Sequence, residues 1–390
     1  MNSLFRKICV VGLAVTFLGA IGPAFFKWNM LAYAAGTIYI RAEGSVDPPS
    51  SQIDRDGNIY RLTGDIAGGI VVQRSNIIIE AGMGMFGIHG PGNGTGFSLE
   101  GTYDNPLTNV TIIGVIIENF AHGILLDYAH NNRISCNGIQ DNDVGVVFFG
   151  SQSRNNTVVG NYIGRNDVGV EVYTGSGSNL IYMNTFHNNG QHVKVWGVAS
   201  TTPNSWDIPY RHGNYWSNYT GVDASPIDGI GDTPHVINTY NVDHNPLMYM
   251  WSGTYRESFV DGEWVSFYIG VISNSTEVGP VLLVPMDTEG DALKCNVSGP
   301  DGTMGFCRVT LPHPLLDPPY NVTVNGFQII HDTVFENDTL SIIYFTYPHS
   351  TKEVVIVPEF QAFMILPLFM IASLFTVVVR RKGREQMASS

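Results

Sequence analysis

The segment Asn132-Arg-Ile-Ser-Cys-Asn-Gly-Ile-Gln-Asp-Asn142 decides the fold, because the chain repeats its pattern. A second copy, Asn156-Thr-Val-Val-Gly-Asn-Tyr-Ile-Gly-Arg-Asn166, follows it, and then a third, Asn179-Leu-Ile-Tyr-Met-Asn-Thr-Phe-His-Asn-Asn189. Upstream, Asn109-Val-Thr-Ile-Ile-Gly-Val-Ile-Ile-Glu-Asn119 has the same pattern. The starting positions give a period of about 23 residues, and a fixed period of this length indicates a protein built from stacked repeats.

Each repeat consists of short alternating apolar stretches rich in Ile and Val, with Asn or Gly at the breaks. This alternation predicts strands and not helices. Val144-Gly-Val-Val-Phe148 and Val168-Gly-Val-Glu-Val172 supply a further strand at equivalent positions of two repeats. Such a unit predicts one coil of a parallel β-helix, in which each coil lies ~4.8 Å from the last.

The recurring asparagines have a structural explanation. Asn tolerates the left-handed backbone of a sharp corner, and its amide bonds both to the Asn of the next coil and to nearby backbone. Direct ligand binding by these side chains is the alternative. We expect two ladders, one of Asn137, Asn161 and Asn184 and one of Asn142, Asn166 and Asn189.

Both ends of the chain carry membrane signals. Arg6 and Lys7 precede a long apolar run, so residues 1–34 are predicted to be a signal peptide or an uncleaved N-terminal anchor. Residues 361–380 are mostly apolar and are followed by a basic tail at 381–390, which predicts a single transmembrane helix with a cytoplasmic tail. The bulk of the chain would then be extracellular, and eight Asn-x-Ser/Thr sequons agree with export.

The part between these ends divides into three. Residues 36–75 are predicted to form the N-terminal cap and first strands, and residues 76–250 the β-helix. From 251 to 357 the Asn pattern stops and alternating strands take over, which predicts a small β-sandwich stalk. Cys295 and Cys307 flank a turn there and form either a disulfide or two buried free thiols.

Composition excludes several classes of protein. The chain has 44% hydrophobic and 14% charged residues, so it does not have the composition of a disordered protein or a coiled coil. Its formal net charge of -14 argues against a nucleic-acid partner, which requires a basic surface. The four Cys form no Cys-x-x-Cys pair, which argues against structural zinc.

Three kinds of motif together resemble a known family. They are the segment from Gly36 to Val46, the Asn coils, and Asn214-Tyr-Trp-Ser217 with Asp228-Gly-Ile-Gly-Asp-Thr-Pro234 and Asn245-Pro-Leu-Met248. These resemble the NosD-like, carbohydrate-binding and sugar-hydrolase (CASH) class of β-helix proteins, especially archaeal surface proteins with a C-terminal anchor. The resemblance implies a right-handed coil, and the NosD name implies copper-enzyme maturation.

Asp143 and Asp167 are the candidate catalytic acids, because they occupy equivalent positions one coil apart and glycoside cleavage uses two carboxylates. Each also follows a corner Asn, where Asp is common in turns. An aromatic group offers stacking surfaces for a ligand, or else covers the last coil. That group consists of Trp206, Tyr215, Trp216 and Tyr219.

Two metals are considered. The carboxylates of Asp223, Asp228 and Asp232 offer hard oxygen ligands for calcium, or simply form a polar closing turn. Copper would need imidazoles in a compact set, and the histidines are spread along the sequence at His187, His192, His212 and His244. We therefore expect that no cofactor is required.

These features favour a membrane-anchored cell-surface β-helix protein that binds surface glycans or envelope proteins without catalysis. The first alternative is an exported polysaccharide-active enzyme on the same scaffold. A copper-binding maturation factor is the second.

Overall fold

The computed structural model describes residues 36–81, 86–151, 153–197, 203–208, 212–224, 227–260, 263–286 and 290–359. The predicted signal segment, transmembrane helix and basic tail lie outside these residues. Within these ranges every regular element is a β-strand. These residues therefore contain no helix that is long and apolar enough to cross a membrane.

The strands that precede Met250 are short. In chain order they are β1 (Ile38–Ile40), β2 (Val46–Asp47), β3 (Ile53–Asp56), β4 (Ile59–Leu62), β5 (Ile66–Ala67), β6 (Ile70–Val72), β7 (Ile77–Glu80), β8 (Gly87–His89), β9 (Thr95–Glu100), β10 (Leu107–Thr108), β11 (Val110–Ile113), β12 (Ile116–Glu118), β13 (His122–Asp127), β14 (Ala129–His130), β15 (Arg133–Ser135), β16 (Gly138–Gln140), β17 (Val144–Phe149), β18 (Thr157–Val159), β19 (Tyr162–Gly164), β20 (Val168–Val172), β21 (Leu180–Tyr182), β22 (Thr185–His187), β23 (Gln191–Val195), β24 (Tyr215–Trp216), β25 (His235–Asn238) and β26 (Asn241–Asp243).

Three sheets wind together into a parallel β-helix, as predicted. Sheet 1 has eight strands in the order β2-β1-β6-β9-β13-β17-β20-β23. Sheet 2 has the order β21-β18-β15-β11-β7-β4-β3, and sheet 3 the order β24-β22-β19-β16-β12-β8-β5. The strands predicted at Val144 and Val168 are β17 and β20, which pair in parallel and in register. Parallel pairing already begins at β1, inside the region predicted as the cap.

The interior is a column of apolar side chains from successive coils. In sheet 3, Ile88, Ile117, Ile139 and Ile163 pair in register and are fully buried. Phe186 continues the column. Because each coil covers only its neighbours, the coils stay in register through local packing.

The predicted asparagines stack at the corners. In the first ladder, Nδ2 of Asn137 donates to Oδ1 of Asn161 at 3.0 Å, and Nδ2 of Asn161 donates to Oδ1 of Asn184 at 2.9 Å. The ladder continues through Asn214 to the carboxylate of Asp243. The second ladder links Asn142, Asn166 and Asn189 in the same way. A third ladder, which the sequence reasoning did not name, links Asn132, Asn156, Asn179 and Asn204.

One expectation about the corners was wrong. The left-handed residue is not the ladder Asn but the residue before it, for example Cys136 (φ 53°), Arg165 (φ 56°) and Met183 (φ 55°). The turn at that residue leaves the following Asn buried at the corner. Its amide then bonds to the coils on both sides.

The remaining strands are longer and antiparallel. They are β27 (Ser252–Val260), β28 (Glu263–Ser273), β29 (Glu277–Val278), β30 (Leu282–Met286), β31 (Gly290–Ser298), β32 (Met304–Pro312), β33 (Tyr320–Val324), β34 (Phe327–Ile329), β35 (Asp332–Glu336), β36 (Leu340–Pro348) and β37 (Lys352–Pro358).

These strands form two sheets with one shared core. One sheet has the order β27-β28-β32-β36-β35, and the other has β29-β31-β37-β33-β34 with β30 beside β31. Val309 and Phe345 of the first lie in the same apolar cluster as Leu293 and Ile356 of the second. Cys295 and Cys307 lie in this core as free thiols, one on each sheet, and not as a disulfide. Burial raises the pKa of Cys307 to about 11.

The two-sheet unit packs on the end of the β-helix. Phe306 and Ile272 form an apolar cluster with Leu247, which closes the last coil. Beside it, Arg308 is only 4% exposed and its guanidinium donates to Asp228 at 2.7 Å. A buried charge needs such a partner, so this pair fixes the contact between the two parts.

Candidate functional site

The predicted aromatic group lies mainly inside the molecule. Trp206 and Trp216 are 0% and 1% exposed, and their indole N–H groups donate to Asn241 and to Asp243. Trp216 stacks on Phe186 with the ring centroids 4.3 Å apart. These indoles cover the last coil and offer no ring face to a ligand. The other two residues of the group, Tyr215 and Tyr219, are half-buried.

The predicted calcium carboxylates are engaged within the chain. Asp228 pairs with Arg308, and Asp223 accepts the backbone N–H groups of Asp228 and Gly229. Asp232 accepts the N–H of Ala224 at 2.8 Å. These contacts are those of a polar closing turn, which was the alternative to a calcium site. In the described part of the chain, no three His, Cys, Asp or Glu side chains are grouped to hold a metal ion.

The candidate catalytic acids Asp143 and Asp167 are exposed at one corner of the β-helix. They lie one coil apart, and the N–H of Val168 donates to the carbonyl of Asp143. Asp143 lies directly before β17 and Asp167 directly before β20, both strands of sheet 1. Their exposure and corner position match those of turn residues.

The outer side of sheet 1, which we call the sheet 1 face, carries a different set of functional groups. Some are exposed, such as Glu100, Phe149 and Trp196, and others are buried, such as Ser98 and Glu171. In each strand, the side chain between two core residues and the side chain after the last core residue both point away from the core. Two outward columns therefore run along the helix. The first is made of Arg41, Gln73, Glu100, Asp127, Phe149, Tyr173 and Trp196, and the second includes Ser98, Leu125, Val147, Glu171 and Lys194.

Three rings follow one another on the sheet 1 face. Phe149 and Tyr173 meet edge to face with centroids 4.9 Å apart, and Tyr173 stacks on Trp196 at 5.8 Å with an interplanar angle of 25°. Phe149 is 43% exposed and Trp196 is 42% exposed. Large exposed aromatic surface on a rigid scaffold is typical of a binding site.

Charged groups hold the last ring of this column in place. The indole N–H of Trp196 donates to Glu171 at 2.6 Å. The ammonium of Lys194 lies 3.2 Å from the same carboxylate and 3.9 Å from the Trp196 ring centroid. Glu171 is only 5% exposed, so its carboxylate is shielded from water and its contacts with both groups are strengthened. The ring is therefore oriented before any ligand arrives.

The middle of the first column is acidic. Asp127 and Glu100 are register partners on neighbouring strands, and the hydroxyl of Ser98 donates to Glu100. Oδ1 of Asp127 is buried and has no hydrogen-bond partner among the described residues. Burial, together with the nearby Glu100 carboxylate, raises the pKa of Asp127 above its ordinary value.

Sheet 3 carries a second polar cluster. Glu118 lies 3.0 Å from Nδ1 of His89 and accepts from Gln140 at 3.0 Å. The hydrogen bond to Glu118 raises the pKa of His89. Further along, Arg165 pairs with Asp141 at 2.7 Å. Nε2 of His89 is buried without a hydrogen-bond partner among the described residues and lies 3.7 Å from Asp65. The other groups of this cluster are paired with one another.

The sequence contained a signal for the sheet 1 face that the sequence reasoning missed. Phe149, Tyr173 and Trp196 recur with the same offsets as the asparagines of the second ladder. An aromatic residue that recurs with the coil period must form a column. Local density instead favoured residues 206–219, where the aromatic residues are close in sequence.

Comparison with known proteins agrees with the β-helix. Residues 62–221 match the model of a family described as periplasmic copper-binding protein (NosD), a parallel β-helix family. The β-helix of this chain is therefore NosD-like. No curated protein matches the chain.

One solved structure with similarity is the tailspike protein gp49 of Acinetobacter baumannii bacteriophage Fri1, a capsular polysaccharide depolymerase. It is 10% identical, with 77% of this chain and 69% of that chain covered and a TM-score of 0.24. A TM-score this low does not establish a common fold.

The described residues do not fit the copper site that the family description implies. His187 contacts the hydroxyl of Tyr162 at 3.2 Å, and His192 contacts Ser217 at 3.2 Å. His212 is buried beside Arg308, and His244 contacts Asp207 at 2.9 Å. The four predicted imidazoles thus have separate partners.

Proposed function

We propose that this protein is a cell-surface protein that binds polysaccharides along the sheet 1 face. Its β-helix is the binding part, the two-sheet unit is a β-sandwich stalk, and the apolar segment at 361–380 is a single-pass membrane anchor. The observation that supports this most strongly is the exposed column of Phe149, Tyr173 and Trp196. Envelope proteins that carry such glycans would bind through the same face.

The geometry of the column suits an extended sugar chain. Successive coils lie ~4.8 Å apart, so each coil presents one ring to one position along the ligand. The exposed edges of these rings offer apolar contact to a sugar chain, because Tyr173 and Trp196 stack on each other and the Lys194 ammonium also lies over Trp196. The parallel coils keep the three rings aligned without a ligand, which lowers the entropic penalty of binding.

The charge of the protein favours a neutral or N-acetylated polysaccharide. The chain has a formal net charge of -14, and the sheet 1 face contains the carboxylates of Glu100, Asp127 and Glu171. A polyuronate would be repelled by both, and more strongly at low salt. No cofactor is needed for binding of this kind.

The test is affinity gel electrophoresis of the full chain in detergent with EDTA, using gels that contain a β-glucan, a mannan, soluble chitin oligosaccharides or a polyuronate. We expect a neutral or N-acetylated polymer to retard the protein. Trp196→Ala should weaken that binding about tenfold, since it removes an exposed ring.

Phe327→Ala is the matched control, because Phe327 is 77% exposed but lies on the two-sheet unit. If Trp196→Ala leaves the retardation unchanged, the polysaccharide does not bind at the sheet 1 face. If Phe327→Ala abolishes it, binding requires the two-sheet unit instead. Membrane fractionation of the intact chain and of a chain truncated after Phe360 tests the anchor.

A further inference from the structure

The structure separates the eight Asn-x-Ser/Thr sequons of the chain into two groups. Five of them have their Ser or Thr inside a paired strand, where neighbouring strands hold the backbone. These are the sequons of Asn93, Asn109, Asn155, Asn296 and Asn321, which end in β9, β11, β18, β31 and β33. The other three, at Asn218, Asn274 and Asn337, lie wholly between strands. N-linked glycans occur on surface loops, so only these three have a suitable backbone.

The first of the three loop sequons follows β24, the end strand of sheet 3. Asn218 and Thr220 are both exposed. The residues on either side of Asn218 are held in place, because the hydroxyl of Ser217 accepts the N–H of Asn188 at 3.1 Å and the hydroxyl of Tyr219 donates to the carbonyl of Thr233. The amide of Asn218 itself has no hydrogen-bond partner among the described residues. Its nitrogen is therefore available at a fixed position on the surface.

The second lies in the turn between β35 and β36, where Asn337 is exposed. Its Oδ1 accepts from the backbone N–H of Thr339 at 3.0 Å, from the hydroxyl of Thr339 at 3.0 Å and from the N–H of Leu340 at 2.9 Å. All three bonds use the oxygen, so Nδ2 has no partner within the described part of the chain. The turn thus holds the Asn and the Thr of the sequon together and leaves the amide nitrogen available.

The third loop sequon differs in its bonding. Asn274 is half-buried, its Nδ2 donates to the carbonyl of Met304 at 3.1 Å, and its Oδ1 accepts the N–H of Phe306 at 2.8 Å. Both ends of the amide are therefore bonded to β32. The folded chain must break the bond from Nδ2 before any other group can use this nitrogen.

We propose that Asn218 and Asn337 are N-glycosylation sites and that Asn274 is not. The inference rests on the cell-surface part of the proposed function, because only an exported chain meets the transferase; it does not depend on polysaccharide binding. The co-substrate is an oligosaccharide joined to a polyprenyl phosphate. Nδ2 bonds to its anomeric carbon, the bond from that carbon to the phosphate oxygen breaks, and the lipid phosphate leaves with the electron pair. The amide loses one proton to a base of the transferase.

Neither residue lies on the sheet 1 face. Asn218 is at the end of sheet 3, and Asn337 is on the two-sheet unit. Glycans at these positions would leave the column of Phe149, Tyr173 and Trp196 accessible.

The experiment uses the full chain, made in cells of its own source and recovered from their membranes. Peptide mass spectrometry should find hexose or N-acetylhexosamine on the peptides that contain Asn218 and Asn337. The peptide that contains Asn274 should be unmodified.

Variants of the sequon Thr test each site without changing the Asn. Thr220→Ala and Thr339→Ala should each remove one glycan and one step of mobility on a denaturing gel. Thr220→Ser and Thr339→Ser should keep both, because Ser retains the hydroxyl that completes the sequon. The matched control is Thr276→Ala, which removes the third loop sequon without changing Asn274 and should cause no shift. A denaturing gel reads the attached mass, so the result does not depend on the stability of a variant.

The outcomes separate this inference from the proposed function. If the full chain is absent from the membranes, the cell-surface part of the proposed function is wrong. A membrane-bound chain in which Asn218 or Asn337 is unmodified leaves that function in place and overturns the assignment of that residue. A glycan on Asn274 would show that hydrogen bonding of the amide does not select the sites, and would overturn the inference as a whole.

Discussion

The asparagine ladders and the aromatic column of the sheet 1 face repeat with the same coil period, yet the ladder side chains are buried whereas the column is partly exposed. Asn161 is 1% exposed and its amide bonds to both neighbouring coils. On the sheet 1 face, Phe149 and Trp196 are largely exposed, and Oδ1 of Asp127 has no partner among the described residues. Recurrence alone therefore does not mark function. What distinguishes the ladders from the aromatic column is how far the rest of the protein covers the side chains.

The largest expected effect is on the ladder. Asn161→Ala removes the acceptor of the N–H and amide groups of Asn137 and the donor to Asn184 and Ile134. Several buried polar groups would lose their partners, each at about 1–3 kcal/mol, so we expect a loss of about 4 kcal/mol in the free energy of unfolding. Urea denaturation measures this. Asn189→Ala, at the less buried end of its ladder, should have a clearly smaller effect; equal losses would contradict the bonding argument.

A smaller effect is expected at the junction between the β-helix and the two-sheet unit. Arg308→Met leaves Asp228 without the guanidinium that it accepts from. Because Asp228 remains partly accessible to water, we expect a loss of about 2 kcal/mol, below the range for fully buried pairs. Adding Asp228→Asn should recover part of it in the same denaturation experiment. A double variant as unstable as the sum of the two single variants would show that the pair is not coupled.

The smallest effect concerns pH. Burial, together with His235 and His187, lowers the pKa of His192 from 6.5 to about 4. The unfolded chain then binds more protons than the folded chain between these two values, so stability is complete above pH 6.5 and falls as the pH drops toward 4. His192→Asn should reduce this decrease when urea midpoints at about pH 7 and pH 5 are compared. An unchanged difference between the two midpoints would show that His192 does not contribute.

Much of the fold was predictable because a β-helix is a local structure. Each coil contacts only the coils before and after it, so the spacing of Asn137, Asn161 and Asn184 alone determines that they stack. The same rule would have predicted the Phe149, Tyr173 and Trp196 column. The left-handed residue before each ladder Asn was not predicted, because several residue types occupy it, including Cys136 and Arg165.

The sequence by itself determined the coil period, the strands and the stacking partners, since these depend on residues one repeat apart. Only the tertiary structure decided which aromatic rings are accessible and which carboxylates are free. Trp216 is buried because the segment ending at Asp243 folds back over the last coil, whereas Trp196 lies at the open side of sheet 1. Asp228 is engaged by Arg308, a residue 80 positions away. Burial and charge pairing depend on such distant segments, and no local spacing records them.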